Sequence, residues 1–296
     1  MKITIVGAGA WGRALGSVFA KAGHEISAWT RSSQVLPNST ELFVAAVPAQ
    51  HMREALGRIT MGRSPLISAA KGIERASGKL MAVVCSEVAP DSEFYALSGP
   101  SFAADVLAGL PTAVALAGPT LPKAMALAEA LSTKHFRIYP TDDVEGVEIG
   151  GAMKNVLAIA CGIVEGAGLG ESARASLVTR GFAELSRYAK ARGAKTETLM
   201  GLSGFGDLML TCSSTKSRNY SYGLAIGRGT SLVEAMTDSR GVVEGAYTAG
   251  IAAELARQQN IDMPIITAVA NVIAGHSSPR DEITKLLARP LRAENE

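Results

Sequence analysis

Lys2-Ile3-Thr4-Ile5-Val6-Gly7-Ala8-Gly9-Ala10-Trp11-Gly12 opens the chain and decides its fold. Ile3, Thr4, Ile5 and Val6 are β-branched in a row, which favours a strand over a helix. Gly7, Gly9 and Gly12 then match the G-x-G-x-x-G spacing in its required setting, after a strand and at the start of a helix. The first glycine permits a tight turn, the second lets a pyrophosphate approach, and the third lets helix and strand touch. The helix that follows, from about Trp11 to Ala22 with Gly23 as its cap, would aim its free N–H groups at the phosphates. The reading is a dinucleotide site; the alternative is a glycine-rich turn with no ligand.

Working outward, Glu25–Trp29 reads as the second strand. Its end selects between NAD and NADP, since an acid there would accept a bond from the ribose 2′-OH. Trp29-Thr30-Arg31-Ser32-Ser33 contains no acid, and Arg31 could pair with a 2′-phosphate. NADP preference is therefore expected over NAD, against the alternative of an exposed loop arginine. Strands are expected at Leu42–Val47, Leu66–Ala69, Phe94–Leu97, Thr112–Leu116 and Phe136–Tyr139, with helical stretches between them. This is the pattern of an open, mainly parallel α/β sheet with ligands at its carboxyl edge. After Asp142 no strand is convincing. Val144–Gly166 is a long apolar, small-residue helix, Glu171–Ala191 a helix with a charged face, and further helices are expected near Ser231–Met236, Tyr247–Gln259, Pro264–Ala274 and Pro279–Ala288. The expected division is a nucleotide-binding domain at 1–141 and an all-helical domain at 142–296.

The bulk numbers exclude several classes. A chain of 296 residues, 47% hydrophobic, has room for two cores, and a net charge of +2 gives no case for nucleic acid or a membrane surface. Cys85, Cys161 and Cys212 are far apart and show no Cys/His spacing for zinc, so no metal is expected. No leader or spanning segment is read, because the apolar runs 106–122 and 263–279 are broken by proline or end in Gly275-His276-Ser277-Ser278. A soluble, cytoplasmic chain is the expectation.

Three places carry chemistry. Lys154 lies among Met153, Val156, Leu157 and Ile159, where a solvated charge is hard to keep. Burial lowers a lysine's pKa and suits proton transfer to a carbonyl oxygen; the alternative is a lysine reaching out from a helix end. Asp207, in Gly204-Phe205-Gly206-Asp207, could hold that ammonium or bond a hydroxyl, or it could cap a helix starting at Leu208. Ser217-Arg218-Asn219 could grip a phosphate, or be a polar loop.

Together with Ala69–Glu74, Ser98–Ala103, Gly151–Asn155, Gly204–Cys212 and Val242–Gly245, these pieces occur in one order. The ordered set resembles the NAD(P)-dependent glycerol-3-phosphate dehydrogenases of the bacterial type. The resemblance spans residues 1–250. It implies a Rossmann-like domain, here shortened, followed by a helical one, NAD(P)(H) as cofactor, and a small phosphorylated three-carbon substrate. The implied reaction interconverts sn-glycerol 3-phosphate and dihydroxyacetone phosphate and supplies the phospholipid backbone. Lys154 resembles the family's general acid/base. Lys71 resembles a residue touching cofactor and substrate, Gly99 and Ser101 substrate contacts, and Ala103 a cofactor contact. Asp207, Ser217, Arg218 and Asn219 resemble the substrate shell, with Arg218 also reaching the cofactor. Ala10, Trp11 and Arg31, with Ser32 beside it, resemble early cofactor contacts, and Val242 and Glu244 late ones. A homodimer is implied too, although the small-residue helix Val144–Gly166 could equally pack inside one chain.

One departure is large. Family members carry a further helix and strand after the second strand, whereas here only residues 32–41 join Arg31 to Leu42. That is too short for a helical crossover and leaves the adenine side of the pocket more open. Two other readings stay open: a two-domain dehydrogenase of 3-hydroxy acids, and a non-catalytic NAD(P)-binding sensor.

Overall fold

The computed structural model describes residues 1–33, 39–239, 241–291 and 293. The opening β-branched run forms strand β1 (Lys2–Val6), flanked by β2 (Glu25–Trp29) and β3 (Leu42–Ala45). With β4 (Leu66–Ser68), β5 (Phe94–Ser98), β6 (Thr112–Ala117) and β7 (Phe136–Thr141) they build one sheet in the order β2-β1-β3-β4-β5-β6-β7. The pairing is parallel except at β5–β6, where Leu97 faces Leu116 in antiparallel register. The chain leaves β1 for β2 on one side and returns to β3 on the other. Their carboxyl ends therefore border the crevice where such sheets bind ligands.

Strand residues alternate between two buried faces. Leu42 and Val44 join the cluster that also holds Ile3, Ile5, Leu15 and Phe19, while Phe43 and Ala45 join Met52, Leu56, Met81 and Val84. A sheet covered on both faces buries every position of such a strand, so Leu42–Ala45 is apolar throughout. The covering helices are α1 (Ala10–Lys21), α2 (Met52–Gly57), α3 (Met81–Val88), α4 (Ala103–Leu107) and α5 (Leu121–Leu131).

Among the described residues no strand follows Thr141. The rest is helical: α6 (Val144–Gly166), α7 (Glu171–Ala191), α8 (Thr196–Met200), α9 (Asp207–Cys212), α10 (Arg218–Gly227), α11 (Leu232–Thr237), α12 (Glu244–Gln258), α13 (Pro264–Ile273) and α14 (Pro279–Leu287). Of these, α8 and α10 are absent from the sequence reading, and α9 enters it only as the helix at Leu208 that Asp207 could cap. Helices α8 and α9 have five and six residues, too short for a periodic signal.

Helix α6 is the axis of this half. Asp143 starts it, its Oδ1 accepting from Gly146 N at 2.9 Å while Oδ2 accepts from Lys195 N at 2.8 Å, ahead of α8. The helix has the length and composition of a membrane span, but 94% of its most apolar window is buried inside the protein. Its glycines let α10 come close. A Cβ on Gly162 would stand 2.1 Å from the carbonyl oxygen of Tyr220, and one on Gly223 would stand 2.0 Å from that of Ile159. The small-residue face is thus filled within the chain.

Two buried carboxylates tie helices together from a distance. Glu148 of α6 accepts from Ala82 N at 2.9 Å, at the uncapped start of α3. Glu184 of α7 accepts from Ile265 N at 2.8 Å and Ile266 N at 3.2 Å, where α13 lacks a side-chain cap. Burial pushes their pKa values up to about 8 and about 7.

Candidate active site

The Gly7–Gly12 turn is shaped by close contact. Gly7 has φ of 103°, a conformation side-chain-bearing residues rarely adopt, and an added Cβ would lie 2.8 Å from Val47 Cγ1. A Cβ on Gly12 would stand 2.0 Å from the Gly7 carbonyl oxygen. At Gly9, by contrast, a Cβ would meet nothing within 4 Å. That open side is where a pyrophosphate could approach. Gly9 is the N-cap of α1, which has neither a side-chain cap nor an acid in its first turn, so its N–H end is presented to an anion. Two polar atoms near this crevice are buried without a partner, Trp11 Nε1 and Glu244 Oε2. The chain's residues therefore fit a bound dinucleotide.

The residues expected from the sequence to react converge from three elements. Lys71 follows β4 at the sheet's carboxyl edge, Lys154 lies on α6, and Asp207 opens α9. Asp207 accepts from Lys154 Nζ at 2.5 Å on Oδ1 and from Lys71 Nζ at 2.7 Å on Oδ2. Lys154 Nζ also donates to Thr211 Oγ1 at 2.9 Å, and Lys71 Nζ to the Gly99 carbonyl at 3.0 Å. The carboxylate is 1% exposed and the Lys154 side chain 8%. Removing both from water is costly unless they are paired and hydrogen-bonded, as they are here. Burial depresses the Lys154 ammonium to about 8, and the neighbouring Asp207 charge opposes the shift.

The turn before Asp207 sets its direction. Residues Leu202–Gly206 form one π-helical turn, a form often found at functional sites. Gly204 sits so close to the preceding turn that a Cβ would be 2.0 Å from the Leu199 carbonyl oxygen. Gly150, one turn before Lys154 on α6, leaves room for the Ser203 carbonyl, 2.7 Å from where its Cβ would be. Asp207 is not a capping residue: the N-cap of α9 is Gly206, and no side chain caps it.

The polar cluster divides. Ser217 caps α10 by accepting from Tyr220 N at 3.3 Å. Asn219 donates to Asn155 Oδ1 at 2.9 Å and accepts from Gly245 N at 2.9 Å, linking α10, α6 and α12. Asn155 in turn donates to the Lys71 carbonyl at 3.3 Å. Arg218 is exposed and makes no ion pair among the described residues; its guanidinium lies against Gly241. Ser101 Oγ donates to the Gly99 carbonyl at 3.0 Å, and Ala103 begins α4. Val242 lies just before α12, and Glu244 begins it. Glu244 accepts from Ala49 N at 3.3 Å, and burial raises its pKa to about 7. Thr211 and Asn155 were not picked out as site residues by sequence. The spacing of Thr211, four residues after Asp207 on one helix face, was the available signal.

Arg31 stands apart, in a cleft of about 350 Å³ at the end of β2. Another cleft, about 690 Å³ between α12, α13 and α14, contains none of the residues above, and its size carries no argument for the chemistry.

A nucleotide crevice at a sheet's carboxyl edge, with a buried lysine–carboxylate pair beside it, defines a two-part nicotinamide-nucleotide dehydrogenase. Comparison with known proteins narrows the class. Family models described as NAD-dependent glycerol-3-phosphate dehydrogenase, N-terminus and C-terminus, match residues 2–40 with 36–123, and 143–284. The chain is 45% identical over 325 residues to glycerol-3-phosphate dehydrogenase (NAD(P)+) of Erythrobacter litoralis, covering 100% of this chain and 98% of that one. It is 46% identical over 327 residues to the protein of the same name from Parvibaculum lavamentivorans, covering 99% and 98%. The crystal structure of glycerol-3-phosphate dehydrogenase from Coxiella burnetii superposes with a TM-score of 0.90 at 34% identity, covering 97% of this chain and 99% of that one. The chain belongs to the NAD-dependent glycerol-3-phosphate dehydrogenase family.

The same comparisons locate the shortening. The two matched pieces of the N-terminal family model meet at residues 36–40, and the 325-residue alignment exceeds the 296 residues here by 29. Residues 34–38 lie outside the described ones. Around them, β2 is the edge strand of the sheet, with β1 as its partner.

Proposed function

We propose that this chain interconverts sn-glycerol 3-phosphate and dihydroxyacetone phosphate, with Lys154 as general acid and base. The observation that carries the reading is the buried Lys154–Asp207–Lys71 chain at the sheet's carboxyl edge, one bond from Gly99. A nicotinamide dinucleotide held by the Gly7–Gly12 turn would supply hydride chemistry at C2 of the substrate. Lys154 Nζ has three N–H bonds; Asp207 and Thr211 take two, which leaves one for the substrate oxygen. In reduction the ammonium gives that oxygen its proton. In oxidation the neutral amine takes the hydroxyl proton, and a pKa of about 8 keeps both forms accessible near neutral pH.

In this reading Arg218 grips the phosphate, its exposed guanidinium, which makes no ion pair among the described residues, being suited to a bidentate contact. Lys71, Gly99, Ser101, Asp207, Ser217 and Asn219 surround the three-carbon unit. Gly7, Gly9, Ala10, Trp11 and Gly12 take the pyrophosphate side. Arg31, Ala103, Val242 and Glu244 contact the rest of the dinucleotide, with Arg218 and Lys71 at the junction. Arg31 favours NADP over NAD. The division at 1–141 and 142–296, a cytoplasmic homodimer, and supply of the phospholipid backbone complete the proposal; family membership supports these last points.

Fold alone does not select the substrate, because D-mandelate dehydrogenase superposes with a TM-score of 0.65 at only 13% identity. The deciding assay follows NADPH oxidation with dihydroxyacetone phosphate, using hydroxypyruvate and oxaloacetate as controls. Turnover with the phosphate alone is expected. Turnover only with a control would favour a hydroxy-acid dehydrogenase, and cofactor binding without any turnover a sensor.

A further inference from the structure

Where a third strand would flank β2 in a full-length nucleotide domain, β2 here is the sheet edge. The cleft at its carboxyl end is closed instead by α2 and the turn before it. Its lining includes Gly7, Trp29, Arg31, His51, Glu54 and Arg58. Arg31 Nη2 lies 3.2 Å from His51 Nδ1 and 3.8 Å from Glu54 Oε2, and His51 Nδ1 is 3.9 Å from the same carboxylate oxygen. Arg58 donates to the Arg31 carbonyl at 3.1 Å, and its guanidinium lies 5.4 Å from the centre of the Trp29 ring. One acid, two guanidinium groups and one imidazole therefore share the place where a dinucleotide domain distinguishes a ribose hydroxyl from a ribose phosphate.

We propose that Glu54 is the residue that sets nucleotide preference in this chain. The inference rests on the cofactor reading above. An acid at the end of β2 is the usual acceptor for the ribose 2′-OH, and residues 29–33 hold none. Glu54 brings a carboxylate into the same cleft from a different element. With the unphosphorylated nucleotide it accepts a ribose hydroxyl and keeps Arg31 as its partner. A 2′-phosphate carries up to about two negative charges, draws Arg31 and Arg58 toward itself, and is repelled by Glu54. The two nucleotides thus compete for one arginine against one internal carboxylate, which gives dual use of NAD(H) and NADP(H) rather than strict choice.

The test is Glu54→Gln, a near-isosteric change at a side chain that is 60% exposed, where folding is not at stake. Calorimetry on the purified chain would compare 2′,5′-ADP with 5′-AMP as probes of the adenosine end. The kcat/KM ratio for NADPH over NADH provides the second readout. Both preferences for the 2′-phosphate should rise about three- to fivefold in Glu54→Gln, and the rise should vanish when Arg31→Ala is added. Ratios within about twofold of the parent chain would overturn the role of Glu54 while leaving the cofactor reading intact. Failure of the parent chain to bind either probe and either dinucleotide would overturn both.

Discussion

The two ends of the nucleotide crevice are built on opposite terms. At the reacting end, Asp207 and Lys154 are buried, bonded to each other, and held by neighbours from three elements. At the adenine end, Arg31 and Glu54 have side chains 69% and 60% exposed and meet at 3.8 Å. Buried charge pairs collapse when one partner is removed, whereas exposed pairs contribute little and are screened by salt. Substitutions at the two ends should therefore differ by orders of magnitude.

The largest effect is expected at Lys154. Lys154→Ala should lower kcat in both directions by about 100- to 10,000-fold, the range general acid–base groups contribute. Circular dichroism and melting checks are needed alongside the rates, because Asp207 then keeps only Lys71 as an ionic partner. A folded variant with near-normal kcat would remove Lys154 from the chemistry and erase the contrast between the two ends.

Arg218→Ala comes next. Losing a charge-assisted contact should raise KM for dihydroxyacetone phosphate about 10- to 100-fold, with a smaller change in kcat. Arg218 is exposed, so the fold should be unaffected. An unchanged KM would move the phosphate grip elsewhere, with Lys71 the other candidate.

How legible the two ends were in sequence follows the same contrast. The Gly7–Gly12 turn was readable because its constraints are local: one backbone conformation, one close approach and one open side within six residues. Helices α6 and α7 were readable to the residue, since their length gives several turns of pattern. Asp207 was found as an acid in a glycine-rich stretch that could hold the Lys154 ammonium, 53 residues away, but its second partner, Lys71, is 136 residues away, and no local rule supplies that pairing. The capping carboxylates Glu148, Glu184 and Glu244 were invisible as caps for the same reason, with donors 66, 81 and 195 residues distant. Glu54 was not singled out in the sequence, where nothing local marks it. Only the sheet order, which leaves β2 at the edge, turns α2 toward the nucleotide cleft.

The pH profile sharpens the reacting end further. The Lys154 pKa lies below the ordinary lysine value, so on raising pH the neutral form appears early, at about 8. Dihydroxyacetone phosphate reduction needs the ammonium and should fall by about tenfold per pH unit well above that value. Glycerol 3-phosphate oxidation needs the amine and should rise through the same range. Rates in both directions that stay flat from pH 7 to 9.5 would mean that another group carries the proton.

The smallest effect is expected at Arg31. Arg31→Ala removes a cation that is paired only loosely, so kcat/KM for NADPH should drop by about three- to tenfold while that for NADH stays within about twofold. The loss should shrink as salt rises, because the charges in this cleft are exposed. The reacting end supplies the control: the Lys154→Ala defect should persist at high salt, since both members of its pair are buried. A large, salt-insensitive loss at Arg31 would mean that nucleotide binding closes the cleft and dries it. The adenine end would then behave like the reacting end once the nucleotide is in place.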